Sequence, residues 1–374
     1  MKFKADRATL LRALAHVQSV VEKRNTIPIL ANVLLAIKDG RLTLTATDME
    51  IAVVEDVAAS TSRDGRCTAP AGTLYDIVRR LPDGIEIELD QPGGDAQLSL
   101  RAGRYSTSLV VLPADDFPSM TAGSLPHSFA LGVTVLRGLI DRTRFAISTE
   151  ETRYYLNGIY LHQTVDAGAD VLRAVATDGH RLARVQLDLP PGARGMPGVI
   201  VPRKTIAELR KLLDEMQGAV EIALSDTRIQ FTAGPVTLTS KLIDGTFPDY
   251  ERVIPRDNDK ILRVGKAEFE SAVNRVAAIS SERSRPVKLS LARDLLVLSA
   301  ASPEQGTASE EIDGEGIEYI AGPLEIGFQA RYLNDITGVV GQQVEFRFSD
   351  GAAPTVVQDA ADGSALYVLM PMRV

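Results

Sequence analysis

Apolar residues at Leu10, Leu11, Leu14, Val17, Val20 and Val21 repeat at helical spacing and predict a helix over 7–21. Arg24-Asn25-Thr26-Ile27-Pro28 breaks it, and apolar runs over 29–37 and 41–47 predict two strands joined by a turn at Asp39-Gly40. The same order returns with a helix over 133–147 (Val135, Leu136, Leu139, Ile140 and Ala146 apolar) and strands at 154–161 and 171–177. It returns again, more weakly, with Phe269, Val273, Val276 and Ile279 marking a helix before strands at 287–291 and 295–300. Each copy has a second half of the same design. Ala69-Pro70-Ala71, Val201-Pro202-Arg203-Lys204 and Phe328-Gln329-Ala330 lead short helices over 74–81, 206–213 and 332–340. Strands at 85–89, 220–224 and 344–348 follow. The first two copies also close alike, Leu112-Pro113-Ala114-Asp115-Asp116-Phe117-Pro118 against Leu242-Ile243-Asp244-Gly245-Thr246-Phe247-Pro248.

Agreement at three offsets predicts three tandem domains over 1–122, 128–254 and 260–374, each a pair of helix-then-strands halves. Strands follow one another without intervening helices, so the sheets are expected to be antiparallel and the class α+β. Two helices per domain cannot cover every sheet face. The helices are expected on one side, with the other side left to solvent.

One stretch gathers candidate chemistry. Ala174-Val175-Ala176-Thr177-Asp178-Gly179-His180-Arg181-Leu182 places Asp, His and Arg within four residues. It has an echo about 130 residues earlier, Leu44-Thr45-Ala46-Thr47-Asp48-Met49-Glu50-Ile51. A Thr-Asp pair shared by both copies reads as an Asx-type turn closing a strand. Gly179-His180-Arg181-Leu182 then reads as an insert peculiar to the second copy. Catalysis would need a nucleophile or metal beside these groups. The four histidines, His16, His127, His162 and His180, form no metal-ligand spacing, and one cysteine makes no zinc site. No phosphate-binding glycine loop and no nucleophile elbow occurs. Asp115-Asp116 reads as a solvated turn. No catalytic residue, metal or cofactor is therefore expected.

Composition narrows the setting. A single Cys67, expected to be a small buried apolar residue, excludes an intrachain disulfide and fits a reducing cytosol. Met1-Lys2-Phe3-Lys4-Ala5-Asp6 lacks the apolar core of a signal peptide, and no apolar run reaches membrane-spanning length. A cytoplasmic location is expected. The net charge of -8 argues against a generic nucleic-acid binder, but it is unevenly spread. The helices and their flanking turns (4–24, 75–80, 133–146, 203–213, 266–275, 281–288 and 329–340) sum to +11, leaving -19 elsewhere. A basic helical layer on an acidic body suits a duplex polyanion bound without sequence preference. The plainer reading is that exposed helix faces favour Lys and Arg.

The C-terminus, Tyr367-Val368-Leu369-Met370-Pro371-Met372-Arg373-Val374, stays apolar to its end. Pro371 cannot donate to a central ladder, so the chain from Met370 is expected to leave the sheet as a mobile tail. Two methionines flanking a proline offer an adaptable apolar surface for a docking peptide.

Along its whole length the chain resembles the bacterial DNA polymerase III β subunits, the sliding clamps. The resemblance is carried by Met1-Lys2-Phe3, Thr26-Ile27-Pro28-Ile29-Leu30, Thr45-Ala46-Thr47-Asp48, Arg153-Tyr154-Tyr155-Leu156-Asn157-Gly158, Ala176-Thr177-Asp178-Gly179-His180-Arg181-Leu182, Val201-Pro202-Arg203-Lys204, Phe247-Pro248-Asp249-Tyr250 and Met370-Pro371-Met372-Arg373. It implies three tandem clamp domains and a head-to-tail homodimer closed into a ring whose helices line a hole for double-stranded DNA. It also implies a non-catalytic role in replication, tethering DNA polymerase III. Other implied partners are the clamp loader's δ subunit, other polymerases and repair proteins, which dock short apolar peptide motifs.

Site residues carry over by position. DNA contacts are implied at Arg24, Arg153, Tyr154, Tyr155, Lys204, Lys211, Arg252 and Arg285, with Gly72 and Thr149-Glu150 departing from the family pattern. A peptide cleft is implied at Leu156, Thr177, Gly179, His180, Arg181, Leu182, Pro248, Val253, Val368, Met370, Pro371, Met372 and Arg373, with Pro354 altering its rim. The dimer interface is implied to set Thr107 and Leu109 against Ala278 and Ile279, and Arg101 and Arg104 against Glu304, Glu310 and Glu311. The apolar pair there is small, so salt-sensitive charge pairing is expected to carry more of that interface. Two other classes stay open on the residues alone. A metal-dependent nuclease predicts turnover abolished by Asp178→Ala. A scaffold with an incidental basic layer predicts no retention on circular DNA.

Overall fold

The computed structural model describes residues 1–21, 26–92, 96–280 and 286–373. In the first third, β1 (Lys2–Asp6) runs into α1 (Arg7–Gln18), then β2 (Asn32–Lys38), β3 (Arg41–Thr47), β4 (Ile51–Val57) and β5 (Ser60–Arg63). Its second half is β6 (Gly65–Pro70), α2 (Ala71–Arg80), β7 (Glu86–Asp90), β8 (Gln97–Ala102) and β9 (Tyr105–Val110). The central third has β10 (His127–Gly132), α3 (Val133–Asp141), β11 (Gly158–Asp166), β12 (Ala169–Thr177) and β13 (Arg181–Asp188). It continues with β14 (Val199–Pro202), α4 (Arg203–Glu215), β15 (Ala219–Leu224), β16 (Arg228–Ala233) and β17 (Val236–Lys241). The last third has β18 (Lys260–Gly265), α5 (Lys266–Ala277), β19 (Pro286–Ala292), β20 (Leu295–Ser302), β21 (Gly306–Asp313) and β22 (Ile317–Tyr319). It ends with β23 (Leu324–Gln329), α6 (Ala330–Thr337), β24 (Gln343–Phe348), β25 (Thr355–Asp359) and β26 (Ala365–Leu369).

A strand precedes every helix, and it does not stay with the strands that follow. β1, leading the first half, pairs with β7 of the second. β6, leading the second half, pairs with β2 of the first. The central third repeats the exchange as β10 with β15 and β14 with β11. The last third repeats it as β18 with β24 and β23 with β19. The six halves predicted from the sequence are therefore interlocked in pairs.

The chain packs as two compact units, Met1–Leu136 with Pro190–Pro197 and Lys204–Leu242, and Arg137–Leu189 with Gly198–Arg203 and Ile243–Val374. The first unit holds a five-stranded sheet, β5-β1-β7-β8-β9, and an eight-stranded one, β10-β15-β16-β17-β4-β3-β2-β6. The second holds a nine-stranded sheet, β14-β11-β12-β13-β26-β25-β24-β18-β22, and a four-stranded one, β21-β20-β19-β23. Two joins make the long sheets: β4 with β17, and β13 with β26. Among the described residues every ladder is antiparallel, as the succession of strands predicts. Among the described residues no helix is long and apolar enough to cross a membrane.

Helix α1 starts where the Asp6 carboxylate accepts from the Ala8 and Thr9 amides at 2.9 and 3.2 Å. It buries Leu10, Ala13, Leu14 and Val17 against β3, β4 and α2. Three predicted elements differ from those found. Residues 28–31 and 154–156 form 3₁₀ turns before β2 and β11, not strand starts. Ile29, Leu30 and Leu156 are still buried, so a pattern of burial alone reads them as strand. Helix α3 stops at Asp141, followed by a 3₁₀ turn at Arg144–Ala146, because the Thr143 hydroxyl donates to the Leu139 carbonyl at 2.7 Å. The expected open sheet face is also absent at β12, where 171–176 is buried throughout. The segment around Phe247 and Tyr250 packs with Val175 of that strand.

Candidate functional site

The Thr-Asp turns at the ends of β3 and β12 have one hydrogen-bond pattern. At the second, Thr177 Oγ1 donates to the Arg181 carbonyl at 2.7 Å and accepts from the Gly179 amide at 3.1 Å. Asp178 Oδ1 accepts from the His180 and Arg181 amides at 2.9 and 3.0 Å. At the first, Thr47 Oγ1 donates to the Ile51 carbonyl at 2.8 Å and accepts from the Met49 amide at 3.0 Å. Asp48 Oδ1 accepts from the Glu50 and Ile51 amides at 2.8 Å each. The turns are equal in length, so Gly179-His180-Arg181-Leu182 is a substitution of Met49-Glu50-Ile51-Ala52 and not an insert.

Beside the second turn lies a mainly apolar groove of about 290 Å³. Of the predicted cleft residues, Leu156, Thr177, Gly179, Arg181, Leu182, Pro248, Val253, Val368 and Met370 line it. A cavity of roughly 150 Å³ holds a benzene ring, so this one has room for about two bulky apolar side chains. Leu156, Val175, Leu182, Ile200, Phe247, Tyr250 and Val368 form one buried cluster that makes its floor rigid.

Four predicted cleft residues do not line it. His180 stacks on Tyr332 at 6.4 Å. Pro371, Met372 and Arg373 run past it, because the Met372 amide donates to the Gly327 carbonyl at 2.9 Å. The chain leaves the sheet after Leu369, as predicted, but the tail is pinned, since the Met370 amide also donates to the His180 carbonyl at 2.9 Å. Arg181 is buried at 5% exposure and offers little to a ligand. Its guanidinium reaches Asp178 at 3.1 Å, Asp335 at 2.5 Å and the Phe145 carbonyl at 2.5 Å, with its cationic carbon over the Tyr332 ring at 4.4 Å. Arg181 thus braces the turn from behind.

Arg153, Tyr155, Asp249 and Tyr250 also line the groove. The sequence assigns the first two elsewhere and overlooks the last two, although Phe247-Pro248-Asp249-Tyr250 contains both. Gly179 makes room for Arg153. With φ +89°, a Cβ there would stand 2.6 Å from Arg153 Nη1.

Among the described residues, the predicted DNA-contacting cations are each partnered within the chain. Arg153 forks onto Glu150 at 2.9 and 2.7 Å. Arg252 pairs with Asp249 at 2.7 Å, Lys211 with Glu208 at 2.8 Å, and Lys204 with Asp48. Tyr154 is exposed and Tyr155 half-buried. Arg24 and Arg285 lie outside the described residues.

The predicted dimer residues lie on two sheet-edge strands and their neighbours. β9, with Thr107 and Leu109, ends the five-stranded sheet, and Arg101 is on β8 beside it. β21, with Glu310 and Glu311, ends the four-stranded sheet. Ala278 caps α5. Arg101, Arg104, Glu304 and Glu311 are exposed, Ala278 is exposed, and Ile279 and Thr107 are half-buried. Leu109 is only 8% exposed, while its neighbour Val110 is 68% exposed. Glu310 accepts from Arg275 Nε at 2.8 Å in its own chain.

Among the described residues no group of three His, Cys, Asp or Glu side chains could hold a metal. Cys67 is buried, which pushes its thiol up to about 12 and keeps it unreactive. His16, at the end of α1, is held between Glu55 at 2.8 Å and Glu215 at 3.1 Å. Burial disfavours the charged ring, but those two carboxylates overcome it and raise its pKa.

Comparison with known proteins covers the whole chain. Residues 1–121, 130–249 and 251–373 match the family models described as the N-terminal, central and C-terminal domains of the DNA polymerase III beta subunit. The beta sliding clamp of Caulobacter vibrioides is 52% identical over 375 residues, covering all of both chains. The crystal structure of the Caulobacter crescentus beta sliding clamp superposes with a TM-score of 0.97 at 52% identity, covering 100% of this chain and 99% of that one. The DnaN sliding clamp of Bartonella birtlesii, bound to griselimycin, superposes with a TM-score of 0.96 at 47% identity over all of both chains.

Proposed function

From the premise that this chain belongs to the DNA polymerase III beta subunit family, the beta sliding clamps, we propose that two copies close head to tail around duplex DNA and present one docking groove per chain. The clamp role in replication, and its non-catalytic character, come with the family. The observation that carries the docking role is the groove itself, a preformed apolar cavity beside a braced turn. Short apolar peptide segments of the polymerase III α subunit, the clamp loader's δ subunit, other polymerases and repair proteins would compete for it.

The edges of two sheets support closure. β9 terminates a five-stranded sheet and β21 a four-stranded one. Laying β9 of one copy against β21 of another makes nine strands, equal to the longest sheet in the chain, and removes two open edges. Arg101 and Arg104 would then face Glu304 and Glu311 on the partner copy.

For DNA, the reading assigns Arg153, Lys204, Lys211, Arg252, Tyr154 and Tyr155 to the inner contact, with Arg24 and Arg285. The four described cations already hold carboxylates, so each must exchange one anion for another to touch phosphate. Few counterions are released by such contacts, the affinity is low, and a topologically linked protein slides. The test is retention. Loaded by a clamp loader on a nicked circular duplex, the protein should remain bound and should leave once the circle is cut. Continued binding to the linear product would overturn the topological reading.

A further inference from the structure

A row of polar side chains crosses three neighbouring strands behind the groove. His162 on β11 is the register partner of Arg173 on β12, and Arg173 is the register partner of Gln186 on β13. Register partners share a sheet face, so the three lie side by side. Arg173 is only 4% exposed, and a buried guanidinium must have its donors satisfied. Its Nε donates to Gln186 Oε1 at 2.8 Å and its Nη2 to Asp166 Oδ1 at 2.6 Å. Its Nη1 donates to Glu251 Oε1 at 2.5 Å and to Tyr250 Oη at 3.3 Å. Glu251 and Tyr250 belong to the 3₁₀ turn Tyr250–Val253, which supplies a wall of the groove.

The hydrogens of this chain can be placed by elimination. Arginine only donates, so Tyr250 Oη accepts from it. His162 Nδ1 lies 3.2 Å from the Gln163 carbonyl, which only accepts, so Nδ1 carries the proton. His162 Nε2, 3.0 Å from Tyr250 Oη, is then the acceptor of the tyrosine's one hydroxyl proton. The polarity runs without a break from Arg173 through Tyr250 and His162 to the backbone. Tyr250 is further boxed in by Phe247 at 6.5 Å and by the His162 ring at 5.7 Å, both edge-on.

We propose that Arg173 is a positioning residue of the docking groove: from behind, it holds the Tyr250 hydroxyl and the Glu251 carboxylate, and so fixes the Pro248–Val253 wall before an apolar peptide arrives. Arg173 does not line the groove, and its effect is preorganisation, which raises affinity by removing the cost of ordering the wall on binding. The inference rests on the docking role proposed above.

The experiment measures binding of the isolated polymerase III α subunit to the full-length protein by surface plasmon resonance. The wild type is compared with Arg173→Met, Arg173→Lys, Tyr250→Phe and the double variant Arg173→Met with Tyr250→Phe. Arg173→Met should weaken binding by about tenfold, and Arg173→Lys, which keeps charge but loses the fork, by roughly threefold. Tyr250→Phe should also weaken it. The double variant should bind no more weakly than Arg173→Met alone, because both changes remove one pathway. A purely structural role gives additive losses, and that result overturns the inference, as does wild-type affinity in Arg173→Lys and Tyr250→Phe. Should Arg173→Met fail to fold, those two conservative variants carry the test. A wild-type protein that does not bind the α subunit sinks the docking reading instead.

Discussion

The turns at Asp48 and Asp178 are alike in every backbone hydrogen bond yet differ in what their side chains hold. Asp48 spends its second carboxylate oxygen on Lys204, at the start of α4. Asp178 turns its second oxygen to Arg181, which also reaches Asp335 on α6. Beyond each turn a backbone amide donates to the same position, Lys241 to the Glu50 carbonyl at 2.8 Å and Met370 to the His180 carbonyl at 2.9 Å. One scaffold has thus been kept and its side chains respecified. Glycine at 179 admits Arg153 and opens a groove rim, where the first turn carries Met49 at φ +75°.

The largest expected divergence is in stability. Arg181→Met leaves Asp335 and Asp178 without their buried cation and should lower stability by about 3–5 kcal/mol. The equivalent first-turn change, Ile51→Val, should cost only about 0.5–1.5 kcal/mol. Urea unfolding of both variants checks this, and equal midpoints would show that Arg181 is not a brace.

Next in size is Gly179→Ala. A Cβ at this φ costs about 1–2 kcal/mol of folding stability and pushes the flexible end of Arg153 out of its place in the rim, so α-subunit affinity should fall by roughly threefold. Met49→Gly should leave that affinity unchanged. A Gly179→Ala protein binding like wild type would remove Arg153 from any account of the rim.

The smallest effect separates two histidines. Burial lowers the His162 pKa, with Arg173 adding to that and the Gln163 carbonyl and Glu251 opposing it. Its contribution is present above the ordinary histidine value of about 6.5 and is lost as pH falls through the lowered one. His16, its pKa raised between Glu55 and Glu215, behaves oppositely. Its contribution is present below about 6.5 and is lost as pH rises through the raised value. Imidazole proton shifts followed by NMR should show His16 titrating above that value and His162 below it. The reverse order would contradict the Tyr250–His162 polarity.

Much of this was legible in the residues. The threefold repeat followed from apolar periodicity, and the Thr-Asp turn from the capacity of short polar side chains to bond their own backbone. Nine of the groove's lining residues are implied by the resemblance to the clamp family, and not by periodicity. Tyr250 was overlooked, since an aromatic next to a proline turn carries no sign of what it faces. Arg181 lines the groove, but its burial and its partners on distant elements carry no local sign, since a charged side chain reads as exposed until those partners are known.

The sequence by itself determined local quantities: where helices and strands run, which turns close them, and that one design occurs three times. These depend on neighbours within a few residues, and periodicity reports them. Only the tertiary structure decided the exchange of leading strands between halves and the joins of β4 with β17 and β13 with β26. It also buried the Arg173 row. Every antiparallel strand offers the same backbone donors and acceptors, so its partner is chosen by long-range packing that no local pattern encodes.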